Sequence, residues 1–145
     1  MIGRGHWRPL LPPRWRNVTT IVIPLSPIVV GADYLLGEPG PPPPTAIEGA
    51  APIWLWGLLL ITAGLTAFAG YLGQWRHVAI LGLHLSGALM LTLGIGVAAE
   101  TLDTTGGFRL PWLYLAVGIA SWAAAIGYAA QVEPDELNRE HCGPV

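Results

Sequence analysis

Two long apolar blocks, residues 52–72 and 77–99, are separated only by Gly73-Gln74-Trp75-Arg76. Each is long enough to cross the roughly 30 Å hydrocarbon layer of a bilayer as a helix. So short a link leaves room only for a tight turn, which predicts an antiparallel transmembrane hairpin. Two further apolar blocks, 18–36 and 111–130, flank it and are also near spanning length. The pattern predicts an all-α polytopic membrane protein with four transmembrane helices and a central tight hairpin. A basic interfacial arm (1–17) precedes the four-helix unit (18–130), and an acidic tail (131–145) follows it.

Interruptions in the pattern refine this picture. Pro9, Pro12 and Pro13 predict an irregular arm at the headgroup level, with Arg14 on anionic lipid and Trp15 at the interface. Pro24 and Pro27 predict a kink in the first span, with Ser26 or Thr20 as local donors for the freed carbonyls. A cleaved signal peptide would share the basic start and the small residues Val30-Gly31-Ala32, but two prolines suit its apolar region poorly. Asp33 falls near the end of that span, as an edge residue within reach of water. The run Pro39-Gly40-Pro41-Pro42-Pro43-Pro44 predicts a stiff spacer. Trp54 and Trp56 at one boundary, Trp75 with Tyr71 at the other, and Trp112 at the start of the last span form the belts that anchor helices at membrane interfaces.

The tight hairpin also predicts a register. Antiparallel helices joined near Gln74 should bring together residues whose numbers sum to roughly 150, with matched depth set by helix rise. Thr66 and His84 meet that condition, which predicts a hydrogen bond between them if both face the seam. Gly82-x-x-x-Ser86 is a small-x-x-x-small face that permits close helix approach, and Ala116, Ala120 and Ala124 form a second small-residue ridge. His77 and His84 lie two turns apart on one helix face, so they cannot reach opposite sides of one haem iron.

Composition supports the membrane reading. Hydrophobic residues make up 52% of the 145 and charged residues only 11%, against roughly 25% in an ordinary soluble domain. A net charge of -2 gives no field to attract nucleic acid. The lone Cys142, beside His141, reads as a free thiol in the tail and leaves a zinc site short of ligands. All basic residues are arginine. Placing the N-terminus inside puts Arg4, Arg8, Arg14, Arg16, Arg76 and Arg139 on the cytoplasmic side and only Arg109 outside, so the expected threading is N-in and C-in.

No paired carboxylates, serine–histidine–acid set, phosphate loop or metal cluster is visible in the sequence, so the chain is expected not to be an enzyme and to need no cofactor or metal. Its expected partners are the lipid bilayer and either further copies of itself or another membrane protein. A non-catalytic subunit or scaffold is the first functional expectation. The arginine-rich start, the proline-rich loop and Trp75-Arg76-His77 leading into the third span resemble small four-span membrane proteins of actinobacterial phages, some of them holin-like. That resemblance is one of general layout over the whole chain and implies membrane permeabilisation. The acidic tail and the scarcity of polar residues beyond Thr62, Thr66, His84, Ser86 and Thr92 depart from a holin pattern.

Overall fold

A computed structural model describes residues 13–37, 45–102 and 107–130. Within them lie four long helices: α1 (Pro13–Leu36), α2 (Ile53–Gly73), α3 (Arg76–Leu102) and α4 (Arg109–Ala129). A single 3-10 turn, Glu48–Ala50, precedes α2, and there is no strand among the described residues. All four helices are long and apolar enough to cross a membrane.

Helix boundaries follow local chemistry. Pro13 opens α1 at a first-turn position, where its missing donor has no partner to lose. The helix therefore begins inside the arm that the prolines led us to expect as irregular through residue 17. The side chains of Arg14 and Trp15, residues 1–12, the proline run and the tail lie outside what the structure describes. Pro24 and Pro27 sit within α1 without ending it, and both are fully buried. Ser26 Oγ donates to Val22 O at 2.8 Å. The prolines free the carbonyls four residues before them, at Thr20 and Ile23. Ser26 thus does not cover the groups it was expected to cover.

The α2–α3 turn closes by a Schellman motif. Trp75 N–H donates to Gly70 O at 2.8 Å and Gln74 N–H to Tyr71 O at 3.3 Å. Gln74 takes the left-handed position at φ 57°, where glycine is the usual residue. The turn reverses the chain at once, and the hairpin follows as the sequence predicts.

Consecutive helices pack antiparallel in the order α1–α2–α3–α4, and α1 makes only marginal contact with α3 and α4. The α2–α3 seam is the closest. A β-carbon on Gly82 would lie 2.2 Å from Ala67 N, and one on Gly70 the same distance from Ala79 N. The predicted register holds to within a residue, since Gly70 opposes Ala79 and Gly82 opposes Ala67. At the α1–α2 seam a β-carbon on Gly31 would lie 2.6 Å from Gly57 O. The α3–α4 seam works differently, with the Trp122 ring over Gly87 and the Leu91 side chain over Gly118. One buried cluster (Ala67, Leu83, Ala125, Tyr128) sits towards the α2–α3 turn and another (Leu60, Met90, Leu93) towards the opposite end.

Candidate functional site

The polar chemistry of the described residues gathers at the two ends of the helices. The end carrying residues 45–52 holds the larger group. Thr45 and Glu48 form a capping box: Thr45 N–H donates to Glu48 Oε2 at 2.7 Å, and Glu48 N–H to Thr45 Oγ1 at 3.2 Å. Tyr34 Oη, from α1, donates to the other carboxylate oxygen, Glu48 Oε1. Trp56 Nε1, from α2, donates to Glu48 O at 3.2 Å. Ala46 N–H donates to Glu100 Oε1 on α3 at 3.1 Å. The Ile47 side chain lies against Gly96 of α3. This short segment therefore ties three helices together. The apolar pattern assigns no element to residues 45–51, which follow the proline run. The T-x-x-E spacing of Thr45 and Glu48 was the signal that could have found it.

At the opposite end, Arg76 binds the C-terminus of α4. Its Nε donates to Tyr128 O at 3.0 Å and its Nη2 to Ala129 O at 2.7 Å. Cationic donors on terminal carbonyls complement both the orphan acceptors and the helix dipole. Tyr128 also meets Tyr71 edge-to-face, with centroids 6.1 Å apart. The sequence gives no sign of this role for Arg76, because its partners lie 52 and 53 positions away.

Between the ends, four hydroxyls turn inward to their own helices. Thr62 donates to Leu59 O, Thr66 to Thr62 O at 2.7 Å, Thr92 to Ala88 O and Ser121 to Val117 O. The expected Thr66–His84 hydrogen bond is therefore not formed. His84 is exposed, its Nδ1 meets Ile80 O at 3.0 Å, and its carbonyl accepts from Trp122 Nε1 at 3.1 Å. The cause is rotation, not depth. Gly82, which does face α2, is two residues before His84, or roughly 200° around the helix.

The small-residue faces also separate. Gly82 and Ser86 are both buried, and Ser86 Oγ has no hydrogen-bond partner. On α4 the buried residues are Pro111, Gly118, Ser121, Ala125 and Tyr128. Ala120 is exposed and Ala116 and Ala124 are half-buried, so the packed stripe is turned away from the alanine ridge. Leu91 over Gly118 and Trp122 over Gly87 fix that rotation.

Among the aromatic anchors, Trp54 and Trp112 are exposed at the end carrying the 45–52 segment. Trp56 and Trp75 are half-buried, Trp56 in the Glu48 group and Trp75 against Gly73. Among the described residues, no three His, Cys, Asp or Glu side chains come together as a metal site. The arrangement can clamp helix ends, and it presents a broad apolar perimeter that includes Ile21, Leu65, Leu81, Ile95, Ile119 and Ile126. Comparison of the chain with protein-family models, with curated proteins and with solved structures finds no match in any of the three.

Proposed function

We propose that this chain is a non-catalytic integral membrane subunit or scaffold, threaded with both termini on the cytoplasmic side and held in a homo-oligomer or a complex with another membrane protein. The observation that carries the reading is the internal use of the intramembrane hydroxyls of Ser26, Thr62, Thr66, Thr92 and Ser121, each donating to its own helix. Apart from the Ser86 hydroxyl, the buried interior between the helices is lined by apolar side chains such as Leu60, Ala63, Ala67, Leu83, Met90 and Leu93, which offer water no partners. A unit packed in this way suits support of other proteins better than conduction. The excess of arginine on the hairpin-turn side supports the threading.

The second reading, a holin-like pore former or small transporter, is favoured by one feature. Thr62, His84 and Thr92 are exposed on the outer faces of α2 and α3, where several copies could turn them towards a shared lumen.

Membrane potential and small-dye release during tightly controlled bacterial expression separate the two, with an equally abundant unrelated four-span protein as control. The subunit reading expects no leak, together with a complex of fixed size after mild extraction. Abrupt depolarisation at a reproducible threshold would overturn it in favour of the pore.

A further inference from the structure

We infer that the cleft between α1 and α4 binds one acyl chain of a zwitterionic phospholipid, with the lipid phosphate at Arg109 and its ammonium at Asp33. This inference is independent of the scaffold reading. The cleft has a volume of about 270 Å³. Val22, Leu25 and Val29 form its α1 wall, Leu113 and Val117 its α4 wall, and Met90 contributes from α3. Its one hydroxyl on the α1 side, Ser26, already donates to Val22 O. The lining is almost wholly apolar and offers water few partners. The walls are open to the surroundings, with Val22 53%, Val29 59% and Leu113 58% exposed. A helix pair that spans a bilayer and opens sideways meets hydrocarbon chains there.

Charge one helical turn beyond the cleft selects the kind of lipid. Val22, Ser26, Val29 and Asp33 follow one another at three- and four-residue steps along α1, and Arg109, Leu113 and Val117 at four-residue steps along α4. Each charge therefore continues its wall by one turn, about 6 Å beyond Val29 and Leu113. Both are exposed, at the same end of the molecule, where the spans end. Tyr114, which also lines the cleft, lies within electrostatic reach of Asp33 and Glu48. A carboxylate on one wall and a guanidinium on the other complement an ammonium and a phosphate carried by one headgroup, and arginine binds phosphate well. An anionic lipid without the ammonium would meet Asp33 and gain only half of this.

Native mass spectrometry of the full chain in mild detergent, with retained lipids compared against those of the bulk membrane, tests the inference. The expected result is one phospholipid retained per chain and enriched in zwitterionic headgroups. Val29→Trp fills the cleft from an exposed position and should lower retention about tenfold, equivalent to roughly 1.4 kcal/mol. Its circular dichroism should match the parent. Asp33→Asn and Arg109→Gln should keep a lipid but lose the headgroup preference. Retained lipid that mirrors the bulk membrane, or equal retention in Val29→Trp, would overturn the inference. So would disulfide dimers of Val29→Cys in a Cys142→Ser background, which would place a second copy in the cleft.

Discussion

The α2–α3 seam and the α1–α4 cleft are both built from helices apolar enough to span a membrane, yet one closes until backbone meets backbone and the other stays open. Hydrophobicity does not drive the difference, because lipid is as good a solvent for leucine as another helix is. Side-chain size does. Ala67, Gly70, Ala79 and Gly82 leave nothing between α2 and α3, whereas Val22, Leu25, Val29, Leu113 and Val117 hold α1 and α4 apart. Chain connectivity adds to the contrast. The Schellman turn holds α2 and α3 together at one end, while α1 and α4 share no turn and make only marginal direct contact. In a membrane, then, small residues in register specify contact, and large ones specify a surface for lipid.

The sharpest way to break the comparison is to enlarge the closed seam. Gly82→Leu should destabilise the fold by about 3 kcal/mol or more, since the clash is with backbone that cannot rotate away. Thermal unfolding in detergent reads this directly. A stable Gly82→Leu protein would mean that the seam is looser than described.

Removing the clamp at the hairpin end should cost less. Arg76→Ala strips two hydrogen bonds from the α4 terminus, and a loss of about 1.5–3 kcal/mol is expected from charged donors before allowance for solvent at this partly exposed site. Hydrogen exchange should accelerate in the last turn of α4 and leave its first turn unchanged.

At the other end, Glu48→Ala should cost about 1 kcal/mol by dissolving the capping box. Exchange at the Thr45 amide should speed up, with the four spans intact. Unchanged protection there would separate the loop from Glu48.

Two small effects sharpen the contrast by their sign. Ser86→Ala removes a buried hydroxyl without a partner and should be neutral or stabilising by up to about 1 kcal/mol. Gly127→Ala lies where a β-carbon meets nothing, so helix propensity alone should add about 0.8 kcal/mol. The same glycine-to-alanine change at Gly82 should instead destabilise, and equilibrium unfolding of the pair measures the difference. Equal signs would erase the distinction between packed seam and open face.

Much of this architecture was legible in the sequence for reasons particular to membranes. Apolar blocks bounded by proline, glycine and charge had to become helices, because backbone groups in hydrocarbon must pair within their own segment. Gly73-Gln74-Trp75-Arg76 could only be a turn, and its brevity fixed the depth at which Gly70 meets Ala79. Rotation about each helix axis was not legible. With apolar residues all round, no polar face tells the inside of the bundle from the lipid side. Thr66 and His84 therefore had the right depth and the wrong azimuth, and of the α4 ridge Ala120 faces outward while Ala124 packs only at the edge of the buried cluster. The candidate sites were harder still. Glu48 meeting Tyr34 and Arg76 meeting the end of α4 depend on helices brought together from distant parts of the chain.

The sequence by itself determined the number of long apolar helices and the hairpin register, since each follows from local backbone satisfaction and chain length, whereas α1 begins five residues earlier than the apolar block. Only the tertiary structure decided which faces meet, which helix ends are clamped and where the cleft opens. Those outcomes depend on how side-chain volumes interlock between helices, a property that no single segment carries.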